Sequence, residues 1–198
     1  MTNIDVLSKP CITLASSSPR RRELLDQIQV SYYVLAVNID ESHIEGESAE
    51  VFVKRLALEK AQAGYAKLPV RPALGSDTIV IYDQQILGKP RNRQHAFDML
   101  QMLSGNTHQV MTAVAICSGE AEHCMLNTSE VEFSRLSKEQ IEAYWLTGEP
   151  ADKAGAYGIQ GIAAQFIKNI KGSYSSIMGL PLYETAKLLN MMGIKVFK

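Results

Sequence analysis

Apolar residues recur along this chain with two different periods, and the alternation between them predicts its architecture. A short apolar run at 12–15 gives way to Ser16-Ser17-Ser18 and then to a helix that Pro19 opens at its first position, with Ser18 as the expected N-cap. A second short strand is expected at 32–37. From about 49 to 66 the apolar positions fall at helical spacing behind Ser48 as cap, and one face carries Val53, Leu56, Ala57, Lys60 and Ala61. The stretch 73–82 is the most strand-like in the chain, and Asp83-Gln84-Gln85 turns it into a second short strand at 86–87, a hairpin. A helix follows, capped by Asn92, striped by Phe97, Leu100 and Leu103, and ended by Gly105. Two long strand patterns, 108–117 and 122–133, flank Ser118-Gly119-Glu120 and should pair antiparallel. Ser137 with Gln140 makes the capping box of a helix ending near Gly148, after which Pro150 opens an irregular run as far as Gly161. A strand at 165–170, a helix after Pro181 and a short strand at 195–197 complete the pattern. Strands and helices alternate, yet two hairpins interrupt them, so the expected fold is α/β: a mixed twisted sheet flanked by helices. No repeat or linker divides the chain, which reads as one domain over 1–198.

Composition narrows what such a fold can do. The 198 residues allow one domain, with room for two lobes sharing a core. Twenty basic and 21 acidic residues leave a net charge of −1, so no global field draws the chain to nucleic acid or an anionic membrane, and any anion site must be local. Cys11, Cys117 and Cys124 are an odd set without CxxC spacing, which argues against a disulfide framework and for a reducing compartment, the cytoplasm. Residues 1–10 are polar, and no run approaches the ~18 apolar residues a bilayer requires, so neither export nor insertion is expected.

Several segments carry candidate chemistry. Ser16 to Ser18, followed by Pro19 and Arg20-Arg21-Arg22, set helix N-terminal amides, hydroxyls and guanidiniums at the end of a strand. That is either a phosphate cradle or a capped surface helix with basic decoration. Successive helical residues lie about 100° apart, so at least one arginine must turn away from any shared ligand. Asp77 interrupts an apolar strand on the same face as Ile79 and Ile81; a carboxylate there must pair with a cation or metal, or edge a wet cleft. Lys60, on the inward stripe of its helix, either meets Asp77 or a phosphate or snorkels to the helix edge. Lys89-Pro90-Arg91 offers further cations on a loop that reads equally as a solvated turn. In 152–161, glycines at every third position permit close backbone approach to a flat ligand, without Rossmann spacing. There is no Walker motif or GxSxG elbow, and His43, His95, His108 and His123 lack zinc-site spacing. A metal would be a hard divalent cation held by Asp77 with Glu41 or Asp40 and the phosphates of a substrate.

Taken together and in this order, the segments resemble the Maf family of nucleoside triphosphate pyrophosphatases. The resemblance runs from Leu14-Ala15-Ser16 and Ser18-Pro19-Arg20-Arg21 through Glu59-Lys60-Ala61, Gly75 with Asp77-Thr78, Lys89-Pro90, Ser104-Gly105 with His108, and Gly155, Tyr157 and Ile159-Gln160-Gly161. It implies a central nucleotide-binding cleft between two lobes, as in Maf and inosine triphosphatase-like proteins, and hydrolysis of a triphosphate to its monophosphate and pyrophosphate. By the same resemblance Asp77 is the proton acceptor and a metal ligand, Ser16, Arg21, Lys60 and Lys89 bind the substrate, and Glu41 assists with metal or water. Arg20, Thr78 and Gln160 look like the branch that takes dTTP and UTP; the branch that takes 7-methyl-GTP has tryptophan, glutamine and glutamate there. Ser17 stands where glycine is common. The resemblance further implies Mg or Mn as the divalent metal, a homodimer, and a house-cleaning role in nucleotide metabolism on normal or modified pyrimidine nucleotides. Because members of the family have been linked to inhibition of septum formation, the rival class is a non-catalytic regulator or nucleotide sensor, which a pyrophosphate-release assay over a panel of triphosphates separates from an enzyme.

Overall fold

In the computed structural model, which describes residues 11–196, the first apolar run forms strand β1 (Ile12–Leu14), followed by helix α1 (Pro19–Gln27) and strand β2 (Tyr32–Val34). Helix α2 (Ala49–Lys67) leads into the hairpin of β3 (Ala73–Tyr82) and β4 (Gln85–Leu87), then helix α3 (Arg93–Leu103) and the long hairpin of β5 (Thr107–Cys117) and β6 (Glu122–Phe133). Helix α4 (Lys138–Leu146), strand β7 (Ile167–Lys171) and helices α5 (Tyr174–Met178) and α6 (Leu182–Met191) follow. Three of the expected caps close as the sequence suggests: Ser48 accepts from the Val51 amide, Asn92 from that of His95, and Ser137 and Gln140 bond reciprocally.

Four expectations need correction. Strand β2 stops at Val34 rather than continuing to 37. The irregular run after Gly148 contains 3-10 turns at Glu149–Asp152 and Ala154–Ala156, and a third, Ile162–Phe166, occupies the start of the strand expected at 165–170. Helix α5 is new, a five-residue turn capped by Ser173 and too short to show a period in sequence. Of the strand expected at 195–197, Lys195 and Val196 are not in a strand and Phe197 lies outside the described residues, as does the polar start. The apolar alternation there is used for packing instead: Ile194 and Val196 lie against the core beneath α6.

The sheet is mixed, in the order β2-β1-β3-β5-β6-β7, with β1 parallel to β2 and β3 and the other pairs antiparallel. Strand β5 occupies one edge of β3 along Ala73 to Ile81. The other edge is divided, because β1 takes Ala73 and Leu74 while β4 takes Val80 to Tyr82. Between them Gly75 to Ile79 have no strand alongside, and this break opens the sheet at Asp77 and Thr78. Helix α2 covers one face of β3 through Phe52, Val53, Leu56, Ala57 and Ala61. On the other face two separate cores form, one around Leu14, Leu24, Leu74 and Leu188 at the β1 end, the other around Leu100, Val110, Phe133 and Tyr144 toward β4. Each fully buried leucine or isoleucine contributes about 1.5–3 kcal/mol, so each lobe holds itself together and the break between them stays open.

Helix α2 lies unusually near the strands. A Cβ on Gly75 would overlap the Ala57 carbonyl and the Ala61 amide, and one on Gly64 would stand 2.7 Å from Ala15 Cβ. This seam of small residues fixes how deep Lys60 enters. Gly75→Ala is therefore expected to cost about 1–3 kcal/mol through overpacking, read as a lower midpoint in urea; an unchanged midpoint would show slack in the seam.

Candidate active site

The break in the β3 edge is the floor of a cleft of about 500 Å³. Nine of the residues singled out in the sequence line it, namely Ser16, Arg20, Arg21, Glu41, Lys60, Asp77, Thr78, Lys89 and Gln160, while Arg22 and Arg91 do not. They come from the β1–α1 turn, α1, the segment before α2, α2, β3, the loop after β4 and the glycine-rich segment after α4. Asp40, the alternative to Glu41, is not among the lining residues; its carboxylate accepts from the Ser42 amide at 2.9 Å.

At the centre stands Lys60. Its Nζ is 2.7 Å from Asp77 Oδ1 and 2.6 Å from Glu41 Oε1. The side chains of Lys60 and Asp77 are 11% and 12% exposed, that of Glu41 50%. The two sequence alternatives are thereby decided: Lys60 turns inward to Asp77 Oδ1, and Asp77 both pairs with a cation and edges the cleft. Partial burial pushes the Glu41 carboxyl up, but the Lys60 hydrogen bond and the charges of Lys60, Lys89 and Arg21 outweigh it and hold the group below its ordinary value.

The β1–α1 turn lines the cleft beside this ion pair. Ser18 sits at the N-cap position, yet its hydroxyl makes no capping bond and the first turn has no acidic residue, so helix amides open on the cleft. Ser16 Oγ instead accepts from the Ser18 amide at 3.2 Å and from Arg21 Nη1 at 3.0 Å, while Arg21 Nε donates to the Gly179 carbonyl at 2.9 Å. Burial pulls the Arg21 pKa down and the neighbouring Arg20 adds to this, against Asp77 and Glu41, so an anion in the cleft would relieve a desolvated cation. The three arginines diverge as helical geometry requires: Arg21 points in, Arg20 faces Asp152 at 3.9 Å on the rim, and Arg22 is exposed. Among the lining residues Arg20, Arg21, Lys60, Lys89 and Lys153 outnumber Glu41, Asp77 and Asp152, a local positive bias in a nearly neutral chain.

Thr78 pairs with the Thr112 hydroxyl at 3.0 Å, and Gln160 is exposed at the rim. Sequence reasoning assigned no role to Asp152, Lys153 or Tyr157, although all lie in the segment noticed for its glycines. Lys153 donates to Asp152 and to the Glu149 carbonyl, both at 2.7 Å, and Tyr157 Oη lies 2.8 Å from His108 Nε2. Burial lowers the His108 pKa to about 4, which keeps that imidazole neutral near neutral pH. The apolar wall of Val37, Val80, Val110, Ile177 and Met178 was missed as well, because its members come from four separate segments with no shared pattern. Among the described residues no three His, Cys, Asp or Glu side chains come together as a metal site, all three cysteines are free, and no helix is long and apolar enough to cross a membrane.

The family model described as Maf-like protein matches residues 11–192. A protein of Alkalilimnicola ehrlichii named dTTP/UTP pyrophosphatase is 54% identical over 192 residues, covering 94% of this chain and 95% of that one. Another so named, from Pseudoalteromonas atlantica, is 52% identical over 187 residues, covering 92% and 97%. Among solved structures, the Staphylococcus aureus Ham1 protein covers 62% of this chain and 71% of its own at 14% identity and a TM-score of 0.45.

The shared ammonium makes an acid-stability prediction. With its pKa depressed below 4.5, Glu41 contributes stability that is present above that value and lost as pH falls through the depressed one. Lys60→Met removes the main favourable partner, so the Glu41 pKa should rise and the acid limb of the stability curve should move to higher pH. At neutral pH, stripping the buried Asp77 of its partner should cost about 3–5 kcal/mol. Urea unfolding from roughly pH 3 to 7 measures both; a variant curve overlying the wild type would contradict them.

Proposed function

This chain belongs to the Maf family, and from that premise and the geometry of the cleft we propose that it is an enzyme hydrolysing dTTP and UTP to the monophosphate and pyrophosphate. The observation that carries the reading is the convergence of Arg21, Lys60 and Lys89 with Asp77 at the break in the β3 edge. Phosphoryl chemistry asks little covalent help of a protein and much charge neutralisation. In this reading Asp77 accepts the proton of a water that attacks the α-phosphorus, the bond to the bridging oxygen breaks, and pyrophosphate leaves. Arg21 and Lys89 face the negative charge of the phosphates, with Ser16 and the open amides of α1 beside them. Lys60 orients Asp77 through its Oδ1, leaving Oδ2 to take the proton.

The donor set fits a divalent cation. Glu41 and Asp77 are hard oxygen ligands within reach of one ammonium, and Mg²⁺ or Mn²⁺ is commonly held by one or two carboxylates plus substrate phosphates. Such an ion, when bound, neutralises charge on the phosphate oxygens. Base selection is assigned to Arg20, Thr78 and Gln160. The amide of Gln160 offers a donor and an acceptor to the O4 and N3–H of thymine or uracil, whereas Arg20 would repel the cationic ring of 7-methyl-GTP. A cytoplasmic home fits the three free thiols. A homodimer, no direct binding of nucleic acid, and a house-cleaning role belong to the same reading.

Steady-state pyrophosphate release tests it. The wild type is expected to hydrolyse dTTP and UTP at least ~10²-fold more efficiently than 7-methyl-GTP, and Asp77→Asn, which keeps shape and loses basicity, should lower kcat by at least ~10²-fold while remaining folded. A folded Asp77→Asn with kcat within a few-fold of wild type would remove Asp77 from the chemistry; nucleotide binding without any turnover by the wild type would favour a sensor.

A further inference from the structure

Gln160 is exposed at the rim of the cleft, but the backbone on either side of it is held from beneath. Two residues before it, the Gly158 amide donates to Tyr144 Oη at 3.2 Å. Two residues after it, the Ile162 amide donates to Glu149 Oε2 at 2.9 Å, and the Ala163 amide to Glu149 Oε1 at 3.4 Å. The two anchors are joined to each other, because Tyr144 Oη donates to Glu149 Oε1 at 2.7 Å. Gly161 passes so near that carboxylate that no Cβ would fit.

Neither anchor lines the cleft. Tyr144, 2% exposed, projects from α4 into the core, and Glu149 follows three residues after that helix ends. Partial burial pushes the Glu149 carboxyl up, but the Ile162 and Ala163 amides, the Tyr144 hydroxyl and the Lys153 charge hold it below the usual range, so these bonds are charge-assisted. A phenol and a carboxylate thus fix the short segment that carries, among the described residues, the one amide side chain of the cleft.

We propose that Tyr144 and Glu149 are positioning residues for base selection, clamping 158–162 so that the Gln160 amide reaches the base edge from one fixed backbone position. The proposal rests on the reading of the cleft as a pyrimidine nucleotide site. A primary amide can serve either polarity of base edge by rotating: its NH₂ suits the O4 of uracil, its oxygen the 4-amino group of cytosine. The clamp leaves that rotation free but fixes the distance and direction from which the amide reaches the base, and a loosened segment would adapt its reach to cytosine more readily.

The test measures kcat/KM for UTP and CTP in the wild type, Tyr144→Phe, Glu149→Gln, Gln160→Ala, and Gln160→Ala combined with Tyr144→Phe. The wild type should prefer UTP, and Tyr144→Phe should lower the UTP/CTP ratio at least ~5-fold, with the loss in the KM for UTP rather than in kcat. Once Gln160 is alanine, adding Tyr144→Phe should leave the ratio within about twofold, because the clamp then has nothing to aim. Glu149→Gln keeps an acceptor oxygen and the side-chain shape, and carries the same expectation should Tyr144→Phe fail to fold. A ratio unchanged in both single variants despite a lowered Tm, or one lowered equally with and without Gln160, would overturn the clamp while leaving the cleft assignment standing. A wild type that hydrolyses neither UTP nor dTTP would overturn the cleft reading, and the clamp with it.

Discussion

One ammonium placed between two carboxylates governs the arrangement of this molecule. Lys60 and Asp77 are nearly buried, and taking such charges out of water costs several kcal/mol per ion unless each finds a partner in good geometry. That demand reaches outward. Helix α2 must lie near enough to β3 for Lys60 to arrive, which the small-residue seam of Ala57, Ala61, Gly64 and Gly75 allows. The segment before α2 must close over the cleft for Glu41 to complete the pair. Here the same helix supplies the tether, because Arg55 Nε donates to Glu47 at 2.8 Å and its Nη2 to the Ser42 carbonyl at 3.0 Å. Two cations five residues apart on α2 therefore divide the work, one turned into the cleft and one holding the loop that bears Glu41.

The second constraint is topological. A fully paired sheet would leave no place for a ligand at Asp77, whose strand is covered by α2 on one face and by the two cores on the other. The opening exists because β1 and β4 share an edge of β3 without meeting. Each of the two strands delivers its own groups to the gap. From β1 come Ser16, the uncapped amides of α1 and Arg21; from β4 comes Lys89. A nearly neutral chain thereby concentrates positive charge at one point, and a polyanion is the ligand that such a point favours.

Most of this organisation is written in local sequence, and the exceptions have physical causes. Caps at Ser48, Asn92 and Ser137, the stripe of α2 and the two hairpins depend on residues near one another in the chain, so pattern alone places them. Asp77 and Lys60 were legible as a pair because each breaks an apolar face, and a buried charge of one sign calls for the other. The 3-10 turns within 149–166 and the five-residue α5 are too short to repeat a helical period, and tertiary contacts such as the Glu149 carboxylate under Ile162 hold the turns. Near the strand expected at 195–197, Ile194 and Val196 pack against the core instead of pairing in the sheet. The base-selecting roles of Arg20 and Gln160 entered through family resemblance: local sequence marked Arg20 only as one of three arginines at a candidate phosphate cradle, and Gln160, an exposed polar residue on a rim, looks like any other surface residue.

The account stands most directly on where water enters the substrate. Turnover of dTTP in ¹⁸O-labelled water, with the products resolved by mass spectrometry, reads this without perturbing the protein. Attack at the α-phosphorus assisted by Asp77 predicts one heavy oxygen in the nucleoside monophosphate and none in the pyrophosphate. Heavy oxygen in the pyrophosphate, or release of inorganic phosphate in its place, would contradict the account.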